Sequence, residues 1–111
     1  VRTVQGAEAK YLLAECYYHL GAIDMAEQEI MSFTQLRTSH QYWLAKSLIL
    51  LADINVDKNE LFQAKQYLLA LQSNYKAQDD IPTIITEKLQ HIAQMEQQAT
   101  EETIETEEEV L

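Results

Sequence analysis

The cysteine and the histidines are the residues of this sequence that could bind a transition metal, and there are few of them. Cys16 and His19 lie three residues apart, so they would share one face of a helix. A zinc site usually completes such a pair with two more ligands, but His40 and His91 have no cysteine or histidine close to them in sequence. The sequence therefore predicts no metal site, and nothing in it points to another cofactor.

Two other groups could take part in catalysis, the Cys16 thiol and the adjacent carboxylates of Asp79 and Asp80. Cys16 falls on an apolar helix face beside Tyr17, where a cysteine is typically a small core residue rather than a nucleophile. The loop around Asp79 lacks the alternating oxygen ligands of a calcium site, whereas a carboxylate just before a helix is typical of a cap. No nucleophile–base or acid–base pair is brought together, so we expect that the chain is not an enzyme.

The composition limits the partners as well. The 111 residues carry 18 Asp and Glu against 8 Lys and Arg, a net charge of −10, and residues 99–111 hold six Glu and no basic residue. Because phosphate binding depends on clustered Lys and Arg, we expect no nucleic-acid partner. No apolar run reaches the roughly 18 residues that a membrane-spanning helix requires. The first residue is Val rather than Met, so we expect a piece of a longer protein.

The elements that must position any binding residues are helices. Two Gly and one Pro in the whole chain favour long helices over a sheet with many turns. Apolar residues recur at helical spacing and predict an all-α fold with five helices. Gly21 and Asn59 tolerate the left-handed conformation that ends a helix, and short connections make consecutive helices antiparallel. The predicted domain is 1–98, with hairpins at about 6–36 and 40–75 and a fifth helix at about 80–98.

The predicted helices differ in how much of their surface is apolar. In the first helix one broad stripe is expected to be buried, and it consists of Ala9, Leu12, Leu13, Cys16, Tyr17 and Leu20. The third helix is apolar on all sides between Leu48 and Ala52, so it should be the most buried element. Residues 99–111 carry like charges and are expected to form a disordered acidic tail. We expect a solvating role for this tail, and a docking tail for a basic partner is the alternative.

The two predicted hairpins match each other at a fixed spacing, which we call the 38-residue period. Leu13-Ala14 in the first corresponds to Leu51-Ala52 in the second, and Gly21 corresponds to Asn59. Three further pairs have the same offset, namely Ala26 with Ala64, Ile30 with Leu68, and Phe33 with Leu71. A fixed period, with small residues matched to small and bulky residues to bulky, is typical of a repeat array.

This pattern resembles the tetratricopeptide repeat (TPR). The first copy fills that family's positions with Leu13-Ala14, Tyr17, Gly21, Ala26 and Ile30, and the second with Leu51-Ala52, Asn55, Asn59, Ala64 and Leu68. The family's repeat is about 34 residues long, so about four residues are additional here, and we place them in the joint at 37–42. Lys10 and Asn55 stand where aromatic residues are usual, and neither second helix ends in Pro. The resemblance implies a right-handed array of helical hairpins, closed by a capping helix at about 80–98. It also implies the C-terminal repeats of a longer bacterial protein, in either the cytoplasm or the periplasm.

The resemblance also implies where a partner would bind. The first helices of the hairpins would line a concave groove with Glu8, Tyr11, Glu15, Tyr18, His19, Tyr42, Lys46, Ile49, Asp53, Val56 and Asp57. These residues mix aromatic and acidic groups, so the implied guest is an extended peptide or a partner helix with basic and apolar residues. The expected function is that of a protein-interaction scaffold. The alternatives are a terminal cap of a longer solenoid without a binding site of its own, or a non-catalytic region of a larger enzyme or assembly protein.

Two further expectations concern the packing of the array. Solenoids usually need about three repeats, so the face of the first hairpin that contains Leu12 and Cys16 is expected to be covered by another chain, as in a homo-oligomer. Trp43 lies near the start of the third helix, beside Tyr42. We expect Trp43 to pack in the joint between the hairpins rather than to anchor a partner, because large aromatic side chains dominate core energetics.

Overall fold

The fold is helical throughout the part of the chain that the structure describes, which is residues 3–36 and 39–110, with side chains up to residue 102. The computed structural model contains α1 (Val4–His19), α2 (Ile23–Thr34), α3 (Gln41–Asp57), α4 (Leu61–Asn74) and α5 (Ile81–Val110). No strand occurs among the described residues, and the prediction of an all-α fold is confirmed. The molecule is elongated, with extents of 61 × 31 × 19 Å. The joint in which we placed the additional residues lies partly outside the described ranges.

The turns that end α1 and α3 have the same geometry. Gly21 and Asn59 both adopt positive φ angles, of 81° and 61°. In each turn a backbone N–H donates to the carbonyl five residues earlier, from Ala22 to Tyr17 at 2.9 Å and from Glu60 to Asn55 at 2.7 Å. A left-handed residue closed by this hydrogen bond is the Schellman motif, and the predicted helix ends are thereby confirmed. The 38-residue period therefore holds for backbone geometry as well as for residue type.

Each of these turns folds one helix back on the preceding one. α1 packs against α2, and α3 packs against α4. Lys10 in the first half of α1 lies with its Nζ 3.4 Å from Glu29 Oε2 in the second half of α2, which requires the two helices to be antiparallel. We refer to α1 and α2 as the first hairpin, and to α3 and α4 as the second hairpin.

Side-chain caps hold the starts of α1 and α5. The Thr3 hydroxyl accepts a hydrogen bond from the Gly6 N–H at 2.9 Å. The Asp79 carboxylate accepts one from the Ile81 N–H at 2.9 Å and another from the Tyr75 hydroxyl at 2.5 Å. The capping role that we expected for the carboxylates before α5 is therefore confirmed for Asp79.

α5 extends beyond the point at which the sequence predicted its end. We expected a disordered tail from residue 99, whereas the backbone stays helical through Val110. Extending an existing helix requires no new nucleation, and Glu is a good helix former. Two (i, i+4) hydrogen bonds support the extension, from the Thr100 hydroxyl to the Glu96 carbonyl and from Gln97 to Glu101. Residues 97–102 are all exposed, so this end of α5 protrudes from the packed part of the molecule.

The core consists of two clusters with the same organisation. The first cluster joins Tyr11, Ala14, Ala26 and Ile30 of the first hairpin to Leu50, Leu51 and Ile54 of α3. The second cluster joins Ala45, Ile49, Ala52, Ala64 and Leu68 of the second hairpin to Ile81, Ile85 and Ile92 of α5. Four residues of the second hairpin in this cluster lie one period after the four residues that the first hairpin contributes. The helix that follows each hairpin therefore packs on the same set of positions of that hairpin.

α5 occupies the position in the second half of the molecule that α3 occupies in the first. α3 packs on α1 and α2, and α5 packs on α3 and α4, whereas α4 makes no contact with the first hairpin among the described residues. Leu51 and Ile54 have counterparts one period later in Leu89 and Ile92, which pack in the second cluster. Because α3 packs on both sides, the prediction that it is the most buried helix is confirmed.

The first helix buries a different face from the one that the sequence favoured. The buried residues of α1 are Ala7, Tyr11 and Ala14. Of the residues expected to be buried, Tyr17 is half-buried, and the others are exposed: Ala9, Leu12, Leu13, Cys16 and Leu20. At about 100° per residue the two sets lie on opposite sides of the helix. α1 thus has two apolar faces. The buried one carries Ala7 and Ala14, whose small side chains let neighbouring helices approach closely.

Candidate peptide-binding groove

An open groove with a volume of about 460 Å³ is formed by α3 and α5, with one residue each from α1 and α4. Its floor is apolar and contains the buried residues Ala52, Leu68 and Ile92, with Val56 and Ile84 beside them. The polar residues that line it are Tyr18, Asp53, Asp57, Glu87, Lys88 and His91. We call this surface the α5 groove, because α5 contributes five of its residues.

An ion pair crosses the α5 groove between α3 and α5. Lys88 Nζ lies 2.9 Å from Asp53 Oδ1 and 3.0 Å from Asp53 Oδ2. About a third of each side chain is exposed, at 35% and 31%. Charge-assisted hydrogen bonds of this kind fix geometry, so the pair holds α5 against α3 and leaves both groups accessible from the groove.

A hydrogen bond joins the two hairpins at one end of the groove. The Tyr18 hydroxyl on α1 donates to a carboxylate oxygen of Asp57 at the end of α3. This hydrogen bond, together with partial burial and the negative charges of Asp57 and Asp53, raises the pKa of Tyr18 to about 12. The His19 ring lies beside Tyr18, with the ring centroids 5.4 Å apart. Tyr18 is therefore a neutral donor at neutral pH, and its ring and the adjacent imidazole border the groove.

Two polar side chains of the groove have no partner within the described part of the chain. Glu87 and His91 are exposed and make no hydrogen bond or ion pair there. The groove contains three carboxylates, those of Asp53, Asp57 and Glu87, against the single ammonium group of Lys88. The groove therefore combines a net negative charge with an apolar floor.

A second group of the residues expected to bind a partner packs around Trp43 instead. The Trp43 ring centroid lies 5.7 Å from that of Tyr11 and 5.0 Å from that of Tyr42. Lys46 Nζ lies 5.5 Å from the centroid of the Tyr11 ring, and the Tyr11 hydroxyl donates to Glu15 at 2.7 Å. Burial is the main cause that raises the pKa of Tyr11 above its ordinary value, and the Glu15 hydrogen bond adds to it. Trp43 thus packs between the hairpins, as the sequence predicted.

The structure places the expected groove residues in different parts of the molecule. Tyr18, Asp53, Val56 and Asp57 line the α5 groove, with His19 beside them. Tyr11, Glu15, Tyr42 and Lys46 belong to the group around Trp43, and Glu8 is half-buried on α1. Tyr11 and Ile49 were expected to be free for binding but are 8% and 4% exposed. Tyr11 and Ile49 are equivalent positions of the two hairpins, and both are buried for the same reason. In each hairpin this position faces the helix that follows the hairpin.

The sequence prediction left out the contribution of α5. Glu87, Lys88 and His91 line the groove, but the fifth helix was assigned a capping role. The 38-residue period could have revealed this contribution of α5. His91 lies one period after Asp53, and Ile92 lies one period after Ile54, so continuing the pattern past residue 75 places α5 as a third copy of the first helix of a hairpin.

Neither a metal-binding cluster nor a membrane-spanning helix occurs among the described residues. No group of three or more His, Cys, Asp or Glu side chains in that part of the chain could hold a metal ion. No helix there is both long enough and apolar enough to cross a membrane. In comparisons with protein-family models, curated proteins and solved structures, no match to this chain was found.

Proposed function

We propose that this chain is a protein-interaction module that binds a peptide or partner helix with basic and apolar residues in the α5 groove. The proposed architecture is a TPR-like, right-handed array of helical hairpins. The observation that carries this proposal is the carboxylate of Glu87, which has no partner among the described residues and lies above the apolar floor of the groove. A Lys or Arg of the guest would pair with Glu87, while a neighbouring apolar side chain would cover Ile92 and Val56.

The electrostatics of the groove support a basic guest rather than an acidic one. Lys88 is already paired with Asp53, and Tyr18 already donates to Asp57, so the cation and the hydroxyl are both engaged. A carboxylate of a guest would find no free ammonium group there and would face Glu87. Because the groove is open, its charges remain hydrated and contribute to specificity and association rate more than to affinity.

The proposal is tested by fluorescence anisotropy with three short labelled probe peptides, which combine Lys with Leu, Glu with Leu, and Lys with Ser. We expect measurable binding of the Lys–Leu probe and at least about threefold weaker binding of the other two, since one exposed ion pair is worth up to about 1 kcal/mol. Glu87→Gln should weaken binding of the Lys–Leu probe.

A matched control variant separates a site from a general charge effect. Glu60→Gln removes the same charge from an exposed position outside the α5 groove, and it should leave binding unchanged. Equal loss of affinity in Glu87→Gln and Glu60→Gln, or equal binding of all three probes, would contradict the proposed function.

A further inference from the structure

α1 exposes an apolar face that the first hairpin does not use. Ala9, Leu12, Leu13 and Cys16 are all exposed, with Leu12 and Leu13 at 43% and 42%. They lie on the side of α1 opposite to the buried residues Tyr11 and Ala14. We call these four residues the outer α1 face. It is separate from the α5 groove, and the inference below does not depend on the proposed function.

The 38-residue period identifies what the outer α1 face corresponds to. Its counterparts in α3 are Ser47, Leu50, Leu51 and Ile54. All four counterparts are buried, with exposures of 0%, 5%, 6% and 0%. Leu50, Leu51 and Ile54 are buried in the first cluster, against Tyr11, Ala14, Ala26 and Ile30 of the preceding hairpin. The outer α1 face therefore has the positions and the residue character of a surface that elsewhere in this molecule packs on a helical hairpin.

The 38-residue period also defines the surface of a hairpin on which the following helix packs, which we call the receiving surface. The first hairpin receives α3 with Tyr11, Ala14, Ala26 and Ile30, and the second receives α5 with Ile49, Ala52, Ala64 and Leu68. The shared pattern is a bulky residue and an alanine on the first helix, and an alanine and a bulky aliphatic residue on the second. The small residues allow a third helix to enter between the two helices of the hairpin.

We infer that the outer α1 face docks between the two helices of a further hairpin of this same repeat, one whose own receiving surface is vacant. A second copy of this chain does not offer such a surface, because α3 and α5 fill both of its hairpins. The positions of α5 that correspond to a receiving surface do not offer one either. Glu87, which borders the α5 groove, and Gln90 stand where Ile49 and Ala52 stand in α3, so a helix that docked there would meet polar side chains, as on the capping repeat of an array.

The test extends the full chain by one hairpin and uses Cys16 as a reporter. A copy of residues 1–38, with its own Cys16→Ser change, is placed directly before Val1 so that the 38-residue period is kept. We expect thiol labelling of the original Cys16 to slow by at least about tenfold, since shielding by packing slows exchange in proportion to the stability of the packed unit. The thermal midpoint should rise. Leu12→Asp with Leu13→Asp in the original copy should restore fast labelling.

A second tandem chain guards against poor folding of the first. It carries residues 39–76 before Val1, so that the hairpin which naturally receives α5 is offered to α1. Unchanged labelling of Cys16 in both tandem chains would overturn the inference. It would also be overturned if the unextended chain self-associates, shields Cys16 at high concentration and becomes monomeric on the Leu12→Asp, Leu13→Asp change, because a second copy would then be the occupant.

Discussion

Lys88 Nζ contacts both carboxylate oxygens of Asp53, at 2.9 and 3.0 Å, and this pair links α5 to α3 across the groove. The two residues lie 35 positions apart, on helices with no direct connection. The pair shows that the groove depends on the packing of α5 on α3. Without α5 the α3 carboxylates would face solvent on one side. The pair also neutralises one carboxylate of the groove, whereas the Glu87 carboxylate has no partner among the described residues.

We predict that the Lys88–Asp53 pair contributes modestly to stability. A double-mutant cycle with Lys88→Met and Asp53→Asn should give a coupling free energy of about 1 kcal/mol or less, since both groups are partly solvated. The coupling should become smaller at high salt, because exposed charges are screened. Urea unfolding of the four proteins measures it. A coupling of several kcal/mol that is independent of salt would mean that the pair is buried rather than open to the groove.

The Tyr18–Asp57 hydrogen bond predicts a specific dependence of stability on alkaline pH. The pKa of Tyr18 rises from its ordinary value of 10.0 to about 12 in the folded protein. The protonated hydroxyl is the favoured form in the fold, so its contribution to stability is fully present below about pH 10 and is lost as the pH rises through 12. The free-energy difference between the wild type and Tyr18→Phe should therefore be constant below pH 10 and shrink above it.

Tyr67→Phe provides the control for this pH profile, because Tyr67 lies on α4 and makes no hydrogen bond within the described residues. Denaturant unfolding of both variants over the alkaline range measures the effect. A Tyr18→Phe difference that stays constant up to pH 12 would show that Tyr18 does not donate to Asp57 in solution.

The left-handed turns at Gly21 and Asn59 predict that two substitutions, Gly21→Ala and Asn59→Gly, change the stability of the protein differently. A Cβ added at Gly21 would meet no atom within 4 Å, so any cost comes from the φ angle of 81° alone. Gly21→Ala should destabilise the protein by about 1 kcal/mol, whereas Asn59→Gly at the equivalent turn should be neutral or slightly stabilising. Urea midpoints decide this, and equal loss in both variants would contradict the shared turn geometry.

Truncation of Leu12 and of Leu50, which are equivalent positions of α1 and α3, should lower the free energy of unfolding by different amounts. Leu50 is 5% exposed and Leu12, its counterpart, is 43% exposed. Leu50→Ala should cost about 2–5 kcal/mol because it leaves a cavity in the first cluster, and Leu12→Ala about 1 kcal/mol or less. Comparable losses in the two variants at low protein concentration would show that the outer α1 face is already packed.

Much of this fold could be predicted from the sequence, and the reasons are local. Gly21 and Asn59 mark the helix ends because few residues adopt positive φ. The match of Ala26 with Ala64 and of Ile30 with Leu68 reveals the repeat, because equivalent packing sites require residues of similar size. The cap at Asp79 follows from a carboxylate placed just before a helix.

The orientation of α1 could not be predicted in the same way. Leu12 and Leu13 are more hydrophobic than Ala7 and Ala14, so hydrophobicity alone favours burial of the wrong face. The face that packs is decided by how closely α2 and α3 can approach, which is a property of three helices together. The same limit applies to the groove, since Glu87 and Lys88 reach it through the packing of α5 on α3.

Binding of a basic and apolar guest in the α5 groove can be located residue by residue with NMR. The isotope-labelled chain is titrated with the unlabelled Lys–Leu probe peptide, and amide chemical-shift changes are mapped. We predict that the largest changes fall at Tyr18, Asp57, Glu87 and His91, and that Glu87→Gln reduces them. Changes spread over exposed carboxylates in all helices, or confined to the outer α1 face, would contradict binding in the α5 groove.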